Sequence, residues 1–200
     1  MSEVRTARLR LSPVDEAGPD ELAAVAAVWG DPGTWGHLPS GRPADDTWVA
    51  GWVARHARSR ALTGLGWWLL RLDVPVGALD AGTVIGAGGC SVLDDIEAWN
   101  LGYRLTPAAW GYGLATELAV AAVAAAHEAR PDMPVIARVL EGNPASWRVQ
   151  EKIGMSLAWS GPVPSDEPYA AGLMRRIYAD RELSEDMLAS LIQLEQVDRR

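Results

Sequence analysis

The 200-residue sequence predicts an α/β chain built on a mixed sheet. Two observations predict it. Segments with the alternation or β-branched content of strands come three or four in succession through the middle of the chain, after two helical stretches. Beyond residue 113 such segments alternate with helical ones. Consecutive strands followed by alternating units argue for a mixed sheet, not a purely doubly wound one. The composition allows it. At 48% hydrophobic and 22% charged, the chain resembles an ordinary globular domain, able to bury roughly 70% of its unfolded surface without disulfide or metal staples.

Arg8 to Leu11 alternates as a short first strand. Pro19-Asp20-Glu21 opens a helix to about Trp29, with acidic residues at the positive end of its dipole. Residues 30–44 hold four Gly and three Pro and are expected to be a loop. Asp45 or Asp46 can cap a second helix to about Arg60, on which Trp48, Trp52 and His56 recur every fourth residue. Gly64 and Gly66 end the pattern. Trp67–Leu72 is a strand, Val74–Asp80 a turn-rich insertion, and Thr83–Val92 a strand weakened by its glycines. Asp94 to Glu97 is expected to be an acidic turn, and Trp99–Leu105 alternates as the next strand. Gly113–Ala126 is rich in Ala, Leu and Val, a helix apolar enough to be buried on more than one side. Pro134–Leu140 is a short strand. Asn143-Pro144 starts a helix, with Asn as cap, Pro in the first position and Gly154 past the end. Leu157–Ser160 and Leu173–Tyr178 are two strands joined by a Pro-rich loop. Ser184 caps a short last helix.

Net charge is −8, with 26 acidic against 18 basic residues. Nucleic-acid binders usually carry a basic surplus, so that class is disfavoured. Cys90 is the one cysteine, so neither an internal disulfide nor a cysteine-based zinc site can form. The first residues have no apolar core of a secretory signal, and the longest apolar run, Leu118–Ala126, is far short of the ~20 residues that span a bilayer. A cytoplasmic chain without membrane attachment is expected. The single Lys152 against 17 Arg, the ten Trp and the absence of Phe read as coding bias.

The chemistry is concentrated in Leu101–Thr116, LGYRLTPAAWGYGLAT. A strand runs through a glycine loop into a helix. Gly111 and Gly113 allow close backbone approach, and the first turn beyond them offers unpaired N–H groups at a positive dipole end. This is either an ordinary strand–turn–helix connection or an anion site made of backbone donors, since no Lys or Arg lies between Pro107 and His127. A nucleotide P-loop would need G-x-x-x-x-G-K-[ST], which is absent. A dinucleotide fingerprint would need a third glycine where Thr116 stands.

The run Gly102-Tyr103-x-Leu105-x-Pro107-x-x-Trp110-Gly111-x-Gly113-Leu114-Ala115-Thr116-Glu117, then Asn143-Pro144-Ala145-Ser146, then Glu151-Lys152-Ile153-Gly154-Met155, resembles the GCN5-related N-acetyltransferases (GNAT). It is most similar to the branch that acetylates the N-terminal amine of ribosomal proteins. The resemblance covers about Arg8–Tyr178. It implies a mixed, mostly antiparallel sheet of about seven strands, splayed at its centre and flanked by helices. It also implies a domain over residues 1–180 with a helical extension over 181–200.

The resemblance further implies acetyl-CoA as cosubstrate, with no metal. Its diphosphate would sit on the backbone of Trp110, Gly111, Tyr112, Gly113, Leu114 and Ala115, with Thr116 able to add its hydroxyl. Trp110 replaces the family's usual Gln or Arg. The pantetheine arm would pair with the strand edge near Tyr103 and Leu105 and touch Asn143, whose Asn-Pro setting independently makes it a helix cap. Ser146, placed by its position to cap or face solvent, is implied to lie near the sulfur and protonate the leaving thiolate. The Tyr that other branches use is absent from 155–160.

The base is less defined. Asn100 stands where the related branch often has Glu. Glu97, Asp94 and Asp95 lie just upstream, either as a solvated turn or as a base, and proximity without a strong base is the alternative. His37 and His56, in the segment that usually shapes the acceptor site, are other candidates for the base, although a lone His is more often structural, and His127 reads as structural. The N-terminal tryptophans read first as core. Trp35, beside His37, is the one most suited to line an acceptor pocket. The implied partner is an amine acceptor, a protein N-terminus or a small molecule, and the branch often forms homodimers. The rival is a CoA-binding regulatory module without turnover.

Overall fold

The computed structural model describes residues 3–36, 48–93, 96–164 and 172–194. Its strands are β1 (Val4–Arg5), β2 (Leu9–Pro13), β3 (Trp68–Leu72), β4 (Val84–Leu93), β5 (Ile96–Leu105), β6 (Val135–Leu140), β7 (Ser156–Pro162) and β8 (Met174–Ala179). They form one eight-stranded sheet in the order β1-β2-β3-β4-β5-β6-β8-β7. Every pairing is antiparallel except β5 with β6. The expected count of about seven is exceeded by β1, whose two residues are too few to show a period.

The helices are α1 (Pro19–Gly30), α2 (Pro32–Trp35), α3 (Trp48–Thr63), α4 (Leu114–Ala129), α5 (Pro144–Lys152) and α6 (Glu185–Gln193). α2 corrects the expectation of a plain loop. Asp31 caps it by accepting Gly33 N–H, and Pro32 fits its first position. Ile96 and Glu97 belong to β5 and not to a turn. The rest of that acidic segment, Asp94 and Asp95, and the Asp45/Asp46 cap lie outside the described residues.

Alternation on the strands divides the core between the two faces. Trp99, Leu101 and Leu105 of β5 join Leu114, Leu118 and Ala122 of α4 in the largest cluster. Trp29 of α1 and Trp52 of α3 pack with Leu69 and Ala87 in a second. Ile96, Ala98 and Ile177 meet Leu191 of α6 in a third. The rings of Trp29, Trp48, Trp52 and Trp67 contact one another at 5.5–6.0 Å between centroids, so these tryptophans are packing, as the first reading of them holds.

The glycines that weaken β4 in sequence have a packing reason. A Cβ on Gly88 would stand 2.5 Å from Tyr103 Cβ and 2.7 Å from a Leu118 methyl. Bare backbone there lets α4 and the Tyr103 side chain settle onto the sheet.

Candidate active site

β5 and β6 share only two register pairs, Trp99↔Val135 and Asn100↔Ile136. Beyond Asn100 the strands part, while β5 stays paired with β4 along Leu101–Leu105 and β6 with β8 along Ala137–Leu140. The Trp99 N–H donates to Pro134 on the β6 side at 2.9 Å. Strand alternation carries the N–H groups of Leu101 and Tyr103 to the same side, where β6 has already moved away. The result is a slot edged by strand backbone.

At the far end of β5, Pro107–Ala109 makes one 3₁₀ turn, and Trp110–Gly113 leads into α4. Gly111 and Gly113 hold φ of +83° and +78°, a left-handed region unfavourable for other residues. Gly113 is the N-cap of α4 and supplies no side chain to it, so the first-turn N–H groups have no internal partner. Trp110 donates its indole N–H to Leu105 O at 2.9 Å, which fixes the loop to the end of β5.

α5 faces the slot from the β6 side. The Asn143 side chain accepts from Ser146 N–H at 3.2 Å and so caps the helix. Tyr103 reaches across from β5. Its hydroxyl donates to Ser146 O at 3.2 Å, lies 3.3 Å from Ser146 Oγ and accepts from Gln150 Nε2 at 3.3 Å. Burial pushes the Tyr103 hydroxyl up to about 12, against the opposing pull of its bond with Ser146. It is therefore neutral at any physiological pH.

The model of the acetyltransferase (GNAT) domain matches residues 8–156. The chain belongs to the GNAT acetyltransferases. No curated protein matches it in sequence. Among solved structures, this GNAT acetyltransferase is similar to a GnaT-family protein from Bordetella pertussis, at 16% identity and TM-score 0.70, over 90% of this chain and 100% of that one. It is also similar to the ribosomal-protein-S5-alanine acetyltransferase of Vibrio fischeri, at 13% identity and TM-score 0.65, over 94% of this chain and 99% of that one. A third is yncA of Salmonella typhimurium, solved with its cofactor acetyl-CoA, at 16% identity and TM-score 0.64, over 90% of this chain and 97% of that one. These identities establish the shared fold alone.

In this GNAT acetyltransferase, Tyr103, Asn143 and Ser146 meet across the slot, and the loop Trp110–Ala115 with Thr116 lies at its end. Asn100 stands half-buried where β5 and β6 part. Trp35 lies on α2, whose Gly33 sits beside Pro107 of the 3₁₀ turn that precedes the loop. Its indole N–H donates to Gly30 O at 3.3 Å. His37 lies outside the described residues. Glu97 is not brought to Ser146. It is six residues from Tyr103 on β5, about 20 Å at ~3.3 Å per residue, and interacts electrostatically with Arg130 beyond α4.

His56 is 3% exposed and stacked on Trp67 at 4.7 Å. Burial first, and Arg55 second, push it down to about 3, so it is a neutral packing group. His127 Nε2 lies 2.6 Å from Asp180 Oδ2, and Asp180 also accepts Val135 N–H at 2.9 Å, which ties the end of α4 to β6. Among the described residues no cluster of His, Cys, Asp and Glu is suited to a metal ion, and no helix is long and apolar enough to cross a membrane.

Two residues escape the sequence reading. Gln150, 1% exposed, joins Tyr103 to the α5 turn. Arg8 supplies the loop with the cation that its own stretch lacks. Its Nη1 donates to Tyr112 O at 2.8 Å and its Nε to Glu117 Oε2 at 2.8 Å. The absence of Lys and Arg over 108–126 is the sequence signal for such a partner, but it does not say where the partner lies.

Proposed function

We propose that this acetyltransferase moves the acetyl group of acetyl-CoA to a primary amine, a protein N-terminus or a small molecule, by direct attack with both substrates bound. The observation that carries this reading is the parting of β5 from β6 after Asn100↔Ile136, with the glycine loop at one end and Ser146 across the gap. The residues fit the cosubstrate. Strand-edge N–H and C=O groups suit an amide-bearing arm, and a loop with first-turn N–H groups suits a diphosphate.

Acetyl-CoA supplies a thioester whose sulfur leaves on transfer. Backbone N–H groups of Trp110–Ala115, with the Thr116 hydroxyl, hold the diphosphate. The β5 edge at Tyr103 and Leu105 aligns the arm, and a backbone N–H there polarises the thioester carbonyl. Ser146 Oγ gives its proton to the leaving sulfur, held in place by Tyr103 and by the Asn143 cap. The amine arrives by Asn100 and the Trp35 helix. Proximity drives its attack, and its proton passes through water to Ser146 Oγ, restoring the hydroxyl that protonated the sulfur.

Free-thiol release with acetyl-CoA and a panel of peptides and small amines tests the reading, alongside CoA calorimetry. Acceptor-dependent thiol release is expected. Ser146→Ala is expected to lower kcat about 100-fold with the KM for acetyl-CoA within about threefold. Absence of CoA uptake overturns the reading. CoA uptake with silence across the panel turns it into that of a binding module.

A further inference from the structure

The loop proposed to hold the diphosphate has two glycines in left-handed conformation. No atom stands within 4 Å of where a Cβ on Gly111 would be, so packing does not hold that residue in its shape. Glycine also loses the most conformational freedom on ordering. Such a loop needs an outside brace, and one arrives from the β1–β2 hairpin.

Arg8 and Tyr112 are separated by 104 positions in sequence. The guanidinium holds the loop on both sides of Gly113. Nη1 takes the Tyr112 carbonyl just before it, and Nε takes the Glu117 carboxylate in the first turn of α4 after it. Arg8 Nη2 lies 3.7 Å from where a Gly113 Cβ would stand. Glu117 in turn is seated in the hairpin turn, accepting from Thr6 Oγ1 at 2.5 Å and from Arg8 N–H at 2.7 Å. These groups line an open groove of about 600 Å³ that also takes in Thr116 and Lys152.

The pair also settles an electrostatic conflict. A carboxylate at a helix N-terminus is favoured by the dipole but repels an incoming polyanion. Arg8 neutralises Glu117 at 2.8 Å without occupying the first-turn N–H groups. Only a planar fork with donors in divergent directions makes both contacts; a lysine ammonium is a single point.

We propose that Arg8 is a positioning residue for cosubstrate binding, bracing the Trp110–Ala115 loop and cancelling the charge of Glu117 so that the loop accepts a diphosphate. This rests on the reading of the loop given above. The test is calorimetry on the full chain with three probes. CoA and 3′-dephospho-CoA carry the diphosphate, and pantetheine does not. Arg8→Met is expected to raise the Kd for CoA and dephospho-CoA about tenfold or more, leaving pantetheine within twofold. Arg8→Lys keeps charge and stem, and is expected to recover less than half of that loss on a logarithmic scale. A wild-type chain that takes up no CoA overturns the loop reading and this one with it. Wild-type uptake with Arg8→Met within twofold of it overturns the role of Arg8 alone. So does an equal loss for pantetheine, which would mark Arg8 as scaffold.

Discussion

His56 carries the same imidazole that serves as a base in many enzymes, and its surroundings remove that use. Neither ring nitrogen has a hydrogen-bond partner, and the ring is packed between Trp52 and Trp67. With the folded pKa near 3 and the unfolded value near 6.5, the unfolded chain takes up the proton first as pH falls. Stability is therefore full above about pH 6.5 and declines below it. The loss between pH 6.5 and 4.5 is on the order of 2 kcal/mol. Denaturant midpoints across that window measure it, and His56→Phe, which keeps a flat ring, is expected to flatten the curve. Glu117 and Asp180 act lower in pH. Burial raises both, but hydrogen bonds from Thr6 and Arg8, and from His127, Arg181 and Val135, outweigh it and hold them below the usual carboxylate range. The spacing of Trp48, Trp52 and His56 made one helix face legible. It could not tell a buried imidazole from a working one, because that depends on Trp67, a residue on another element.

At the scale of elements, the glycine loop was legible because two glycines flank one residue between a strand and a helix, a pattern with few uses. Its brace was not, since local pattern carries no information about a side chain arriving from a hairpin more than a hundred positions away. α2 was hidden for the opposite reason. Pro32 and Gly33 read as breakers, yet Pro at a first helical position and an Asp cap suffice for one turn. The loop makes a specific demand. Gly111→Ala meets no steric obstacle, because nothing stands within 4 Å of the new Cβ, but it must adopt φ near +83°. A cost of about 1–2 kcal/mol is expected. It should emerge as weaker CoA binding in calorimetry with an almost unchanged far-UV spectrum, because the strain falls on the loop and not on α4.

For the whole molecule, the run of antiparallel strands and the later alternating units were readable from periodicity. The parting at the sheet centre was not; it entered only through the family resemblance. Period-two patterning says which face a residue takes, but not whether its neighbour strand stays beside it. β5 and β6 each look complete in sequence, and only the register exposes how little they share. Hydrogen exchange is the measurement suited to this scale. Added CoA is expected to slow exchange at 101–105 and 111–116 and, through Arg8, at 6–9, with little change at 156–162 on the distant edge strand. Slowing spread evenly over all strands would count against a ligand seated in the gap.

The two-rung seam at Trp99 and Asn100 divides the sheet into a five-stranded block and a three-stranded block. Apart from the two-residue β1, which also holds β2 by two rungs, each block is zipped internally over four or more rungs, so thermal separation of the blocks should begin at this crack. A nucleotide-linked amide chain lying there would act as a ninth rib, and the melting temperature would climb with its concentration. On the reading proposed above, turnover would then have a mechanical side: each departing product would leave the molecule one rib short, in its loosest form, until the next donor arrived.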